Sequence, residues 1–256
     1  MRIDYSTVTE VPGHKVTHEQ LSRMYHRYRF AAEFCNGKDV LEVACGAGQG
    51  LGYLARYARR VVGADYTEGL VRDAKNYYKD RVQLHILDAH QLPYKDKSFD
   101  VVILYEAVYY LAKPETFVGE ARRVLRQPGV LLIATVNKDW PEFNPSPFSS
   151  NYYSVPELSK LLEKNRFAVK CYGAFSSIPK TAGEKIVSNI RRIAVALHLI
   201  PKTMKGKELL KKLFYGRLIP LGEEIQEGMY EYQDPKLIPL NVPNYEYKVI
   251  YCAARL

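Results

Sequence analysis

Cysteine is scarce in this chain: four in 256 residues (Cys35, Cys45, Cys171 and Cys252), with no C-x-x-C pair. That spacing argues against a zinc site and against a disulfide framework, and it fits a reducing cytoplasm. No apolar run approaches the ~20 residues needed to span a bilayer. The polar opening, Met1 to Glu10, lacks the pattern of a signal peptide, so none is expected. There is no internal repeat and no low-complexity segment. Acids are outnumbered, 28 against 37 Lys and Arg, for a formal charge of +9. What is present is globular: 47% hydrophobic and 25% charged residues exclude a disordered, collagenous or coiled-coil chain. A chain of this length buries a full core without structural metal, and residues 1–256 read as a single domain.

Residues 1–16 read as an irregular arm. Thr17 and Gln20 form a capping box, and the apolar positions Leu21, Met24, Tyr25, Tyr28, Ala31 and Ala32 predict a helix that Gly37 ends. Strands follow at Val40–Ala44, Arg60–Ala64, Val82–Leu87, Asp100–Leu104 and Val130–Val136. Between them lie helices through Leu51 to Ala58, from Thr67 to about Lys79, and from Pro114 to Leu125. Ser154 and Glu157 cap a further helix to about Lys164. Strands at Phe167–Phe175 and Tyr245–Ala253 complete the pattern, the last alternating enough to be antiparallel. Apolar strands alternating with helices predict an α/β fold with a doubly wound, mostly parallel seven-stranded sheet, an antiparallel last strand and a helical insertion before it.

The positive charge is local. From Lys180 to Arg217 stand ten basic residues against Glu184 and Glu208, an excess of +8. From Glu223 to Asp234 stand five acids and no base. Three readings of the basic stretch stay open. It is a solvated helical cap, a lid whose Lys and Arg grip a phosphate or carboxylate, or a membrane-surface contact through 180–217.

The sharpest motif is VLEVACGAGQG, Val40 to Gly50, leaving a strand and entering a helix. Gly46, Gly48 and Gly50 allow a tight turn and close approach of a ligand to the backbone. The dinucleotide fingerprint fails at its third glycine, because Leu51 stands there. Glu42, inside the strand end, suits a cationic ligand better than a pyrophosphate. Asp65 ends the second strand, where a carboxylate can accept from a ribose diol. Asp88, Ala89 and His90 follow the third, where an acid and the backbone can read an adenine edge. These strand ends share one edge of such a sheet.

With Asp88-Ala-His-Gln-Leu-Pro93, Ser98-Phe-Asp-Val-Val102 and Arg122-Arg-Val-Leu-Arg-Gln-Pro-Gly129, the set resembles the successive motifs of class I S-adenosylmethionine-dependent methyltransferases, with their Rossmann-like fold. Its nearest flavour is the small-molecule group that includes ubiquinone-pathway and sugar methyltransferases. The resemblance covers about residues 38–176 plus the last strand. Ala44 departs from it, standing where the family usually has its first glycine.

The resemblance implies S-adenosyl-L-methionine as cofactor and S-adenosyl-L-homocysteine as product. Glu42, Ala44, Gly46 and Gly48 would hold the methionine part, Asp65 with Tyr66 the ribose, and Asp88, Ala89 and His90 the adenine. Tyr25 or Tyr28 of the first helix would close over the methionine carboxylate, with Arg29 as counter-ion. A tyrosine face, Tyr105, Tyr109 or Tyr110, would lie near the sulfonium. The general base for an alcohol is sought among His26, His90, Glu106 and Tyr109. No ligand cluster argues for a metal.

It also implies a division into an arm and helix over the cofactor (1–37), a Rossmann-like core (38–176 and 244–256) and a basic insertion beside the acceptor (177–243). The leading expectation is methylation of a small-molecule or glycan acceptor, an O-methyl ether on a nucleotide- or lipid-linked sugar, in polysaccharide or natural-product biosynthesis. The expected place is the cytoplasm or the inner membrane surface. Alternatives are an RNA methyltransferase, disfavoured because the base-methylating motif is missing after the fourth strand, and a non-catalytic cofactor-binding relative.

Overall fold

The computed structural model describes residues 4–146, 149–179, 190 and 218–256. Along the chain run β1 (Lys15–Val16), α1 (His18–Cys35), β2 (Asp39–Val43), α2 (Leu51–Leu54), β3 (Arg60–Asp65), α3 (Glu68–Tyr78), β4 (Gln83–Ile86) and β5 (Phe99–Tyr105). A 3₁₀ turn (Val108–Tyr110), α4 (Pro114–Val124), β6 (Leu125–Val136), α5 (Val155–Lys164), β7 (Ala168–Ser176), β8 (Ile219–Pro220), β9 (Lys236–Ile238) and β10 (Tyr247–Arg255) follow. Apart from Ile190, the basic stretch 180–217, and with it the lid and membrane-contact expectations, lies outside the described residues.

The main sheet has the order β4-β3-β2-β5-β6-β10-β7-β9. The strands from β4 to β6 are parallel, and β10 runs antiparallel to both neighbours, β6 and β7. Among the described residues the sheet holds eight strands rather than the expected seven. The eighth, β9, pairs antiparallel with the edge of β7 and buries only Ile238, too short a pattern to read from sequence.

Inside the sheet, side chains alternate between two apolar layers. Val40, Val101, Ile103 and Tyr105 join the layer packed by α1, α2 and α3. Leu41, Val43, Val102 and Leu104 join the layer packed by α4 and α5. This period of two with both faces covered is why these strands read as continuous apolar runs. Each large side chain so buried stabilises the fold by roughly 1.5–3 kcal/mol.

The first helix begins as its sequence predicts. Thr17 Oγ1 accepts from Gln20 N while Gln20 Oε1 accepts from Thr17 N, a reciprocal cap contributing about 1 kcal/mol. Ser154 and Glu157 cap α5 in the same way. Two elements differ from expectation. α2 is one turn long and stops at Leu54, where the chain turns back toward β3. β6 starts at Leu125, five residues early, because the Gln127–Pro128 turn is absorbed as an irregularity in its pairing with β5.

The cysteines also correct the sequence reading. Cys171 on β7 and Cys252 on β10 are direct cross-strand partners, with Cα atoms 4.3 Å apart, and form a disulfide in the core. Their separation of 81 residues hid a contact that only strand register creates. Cys35 and Cys45 are buried and free. Among the described residues no helix is long and apolar enough to cross a membrane.

The arm does not stay irregular to its end. β1 pairs with β8, and Gly13 N and Leu221 N exchange hydrogen bonds with Leu221 O and His14 O. The segment following β8 then packs on α1 and α2. Glu227 accepts from the hydroxyls of Tyr25, Tyr53 and Tyr57, at 3.1, 2.8 and 2.6 Å.

Candidate active site

β2 and β5 are neighbours, yet the chain leaves β2 toward β3 and β4 on one side and continues from β5 to β6 on the other. The turns after their carboxyl ends therefore diverge and leave a crevice. A cavity of about 610 Å³ opens there. Its floor is the turn from Ala44 to Gly46, Asp65 and Tyr66 after β3, Leu87 to His90 after β4, and Tyr105 to Ala107 after β5. One face of α1 makes a wall: Gln20, Arg23, Met24, Arg27 and Tyr28, at the three- and four-residue steps of a helix. Tyr5, Val8, Thr9 and Glu10 of the arm complete the enclosure.

Two residues flanking the crevice adopt left-handed backbone without being glycine. Ala44, first after β2, has φ +57°, and Glu106, first after β5, has φ +51°. Each costs of order 1 kcal/mol, a strain characteristic of functional sites.

The glycines divide their work. Gly46 (φ +59°) lines the cavity, and its N–H donates to Asp65 Oδ2 at 2.8 Å. Gly48 faces away, its carbonyl accepting from Tyr78 Oη at 2.7 Å. Gly50 has ordinary helical backbone; a Cβ there would fall inside the Tyr28 ring. Neither Gly48 nor Gly50 lines the cavity, so those two glycines serve packing.

Asp65 ties two turns together, because its Oδ1 accepts from Thr67 N at 2.8 Å. Burial raises its pKa, against the pull of these backbone donors. Glu42 lies behind the cavity wall. The alternation along β2 puts it on the α1 face, where Tyr28 Oη donates to its Oε1 at 2.5 Å. Glu42 Oε2 is buried without a partner, and burial raises the pKa to about 7 against the Tyr28 hydrogen bond and the Arg27 charge.

Asp88 and His90 form a closed pair. Asp88 Oδ1 accepts from His90 N at 2.8 Å and lies 2.6 Å from His90 Nδ1. Burial raises the Asp88 pKa, but the His90 hydrogen bonds outweigh it and hold the carboxyl below its ordinary value. His90 Nε2 accepts from Lys113 N, so Nδ1 carries the hydrogen toward Asp88 and neither ring nitrogen is spare as a base. Glu106 Oε2 accepts from Tyr109 Oη at 3.0 Å, and both line the cavity. Burial raises the Glu106 pKa against the Arg27 charge and this hydrogen bond.

Three expected residues point elsewhere. His26 packs between Phe175 and Tyr232, with Nδ1 2.8 Å from Ser22 O and Nε2 accepting from Gln233 N. Tyr25 turns to Glu227, and Arg29 pairs with Glu33 over Tyr232. The helix rotates about 100° per residue, so 25, 26 and 29 face the segment after β8 while 24, 27 and 28 face the cavity. Sequence reasoning missed Arg23 and Arg27, because the 20/23/24/27/28 spacing is one of several faces a helix offers and only the packing of α1 selects it. It also missed Tyr5, Thr9, Glu10 and Gln49, which carry no such signal. Gln49 Nε2 donates to Glu10 O at 2.6 Å and fastens the arm.

Comparison with known proteins agrees with this geometry. Residues 41–133 match the family model described as a methyltransferase domain. A probable S-adenosylmethionine-dependent methyltransferase of Mycolicibacterium smegmatis is 38% identical over 149 residues, covering 56% of this chain and 57% of that protein. A fatty-acid O-methyltransferase of the same organism is 38% identical over 116 residues, covering 43% and 41%. The chain spans about half the length of the curated relatives it matches. A crystal structure of an S-adenosylmethionine-dependent methyltransferase from Aquifex aeolicus superposes with TM-score 0.51 at 25% identity, covering 58% of this chain and 84% of that one. The matched residues contain the turn after β2, Asp65, Asp88 and Glu106 around one crevice, and over that span the chain carries a methyltransferase domain similar to those of S-adenosylmethionine-dependent methyltransferases.

Proposed function

We propose that this chain methylates an oxygen of a small, hydroxyl-bearing acceptor, a sugar or lipid alcohol, with Glu106 receiving the proton. The observation that carries this reading is the Glu106–Tyr109 pair, a buried carboxylate at the mouth of β5 on the same cavity as the cofactor-class turn. The relative named a fatty-acid O-methyltransferase is in keeping with oxygen as the acceptor atom.

The cavity suits the cofactor. Asp65 lines it at the end of β3, where a carboxylate can meet a ribose diol, and Gly46 lines it without a side chain. Asp88, Ala89 and the ring of His90 line the part where an adenine edge would lie. On this reading 38–176 with 244–256 is the core, and 1–37 covers the cofactor. When bound, S-adenosylmethionine supplies an electrophilic methyl group on a sulfonium. The residues here align the acceptor, exclude water and take up the proton. The acceptor oxygen forms its bond to carbon as the sulfur–carbon bond breaks, and the hydroxyl proton passes to Glu106. Burial favours the protonated form of Glu106 and so strengthens it as a base. Tyr109 holds the carboxylate in place, its ring stacked on Tyr152 with centroids 4.6 Å apart.

The test is transfer of labelled methyl from S-adenosylmethionine into extracted lipids and soluble sugars. An ether product resists mild alkali. Label released as methanol would show a carboxyl ester and overturn the alcohol reading. Glu106→Gln should lower turnover about 10²- to 10⁴-fold with cofactor binding intact.

A further inference from the structure

The imidazole of His26 is buried, takes no part in the chemistry above, and is held at both nitrogens. Nδ1 stands 2.8 Å from Ser22 O, which can only accept, so Nδ1 carries the hydrogen. Nε2 accepts from Gln233 N at 3.2 Å. This pair of bonds admits only the neutral ring, in one tautomer. Gln233 ends a strap, residues 221–233, that ties α1 to the arm. Leu221 N donates to His14 O and Ile225 N to Gln49 O, both at 2.9 Å. Gln49 lines the cavity and fastens Glu10 of the arm. Glu227 takes the hydroxyls of Tyr25, Tyr53 and Tyr57, and Gly228 N donates to Tyr25 Oη. Two adjacent residues of α1, Tyr25 and His26, thus hold the strap, and the next two, Arg27 and Tyr28, line the cavity.

The surroundings of the ring do not suit a second proton. On α1 stand Tyr25, Arg23 and Arg29, with the Arg23 guanidinium over Phe175 and that of Arg29 over Tyr232. Phe175 of β7 and Tyr232 of the strap pack on the imidazole, with centroids 5.0 and 5.3 Å away. Glu33 and Asp234 act on Tyr232 and not on the imidazole. His18 meets the strap elsewhere, at Tyr230 Oη, in an exposed contact. A proton on Nε2 would face the Gln233 N–H, set donor against donor, and bury a charge with no carboxylate beside it among the described residues. Burial lowers the His26 pKa below its ordinary 6.5, against the pull of the Ser22 carbonyl. A ring freed into water regains its ordinary basicity. The closed strap therefore keeps its full hold above about pH 6.5 and loses it as pH falls.

We propose that His26 is a positioning residue whose neutral ring bolts the strap to α1, and that its protonation frees the strap and with it the arm and the α1 wall that enclose the cavity. The cavity closes on its ligand at neutral pH and opens in mild acid. That this ligand is S-adenosylmethionine rests on the methyltransferase reading.

Hydrogen exchange and calorimetry on the full chain, from about pH 7.5 to 5.5, test this with S-adenosylhomocysteine as the probe. In the unmutated chain the Gln233 and Ile225 amides, corrected for intrinsic exchange, should lose protection by up to about tenfold per pH unit below 6.5, and the probe should bind more weakly over the same range. His26→Gln keeps an acceptor for Gln233 N and cannot titrate, so both pH dependences should flatten. If that variant does not fold, the imidazole resonances of the unmutated chain decide: His26 should titrate below its ordinary value, in step with the loss of protection. Titration at or above that value, protection unchanged with pH, or an equal loss in the variant overturns the bolt. Loss of protection with unchanged probe affinity overturns its link to the cavity. If the probe binds at no pH, the methyltransferase reading fails, while the exchange data still decide the bolt.

Discussion

Tyr28 and Glu42 meet at 2.5 Å between α1 and β2, the helix donating its hydroxyl to a carboxylate buried in the sheet. The contact depends on Gly50, since any side chain there would displace the Tyr28 ring. It couples the cover of the cavity to the strand behind it and leaves the second oxygen of Glu42 buried without a partner.

Glu42 gives a pH signature. Its pKa rises from the ordinary 4.5 to about 7 on folding. The folded state therefore binds more protons than the unfolded chain in that interval, and stability falls as pH rises from about 4.5 to 7. The full difference is about 3 kcal/mol above pH 7. Glu42→Gln should flatten this part of the profile in denaturation measured across pH.

Ala44 carries left-handed strain that glycine would relieve. Ala44→Gly should raise stability by up to about 1 kcal/mol, or a melting temperature higher by about 2–4 °C. A fall in melting temperature would show that the greater freedom of the unfolded glycine chain outweighs the strain.

Two further glycines should behave oppositely. Gly50→Ala should destabilise by about 3 kcal/mol or more, because Tyr28 cannot move without leaving Glu42. Gly69, inside α3 with open space around its missing Cβ, should gain about 0.5–1 kcal/mol as Gly69→Ala. Thermal melts of the pair check both signs.

Asp65→Ala should remove most of the melting-temperature rise given by S-adenosylhomocysteine, which otherwise follows mass action. It should also cost about 1–3 kcal/mol without ligand, because Gly46 N and Thr67 N lose their acceptor. A full ligand-induced rise in the variant would refute the ribose role.

Local rules in the sequence set much of this protein. The Thr17 and Ser154 caps, the runs around β2, β5 and β6, and the strand-to-helix turn at Gly46 are short-range signals, and the expected elements form there. That Asp65 and Asp88 reach the cavity edge was legible because one ends and the other follows a parallel strand. Tertiary structure decided what depends on distance and rotation. The Cys171–Cys252 bond and the strand at Lys236–Ile238 arise from register between remote segments. That His26 and Arg29 leave the cavity while Arg27 enters it follows from how α1 is clamped by Glu227 and Tyr28, a rotation of one residue that helical periodicity alone does not fix.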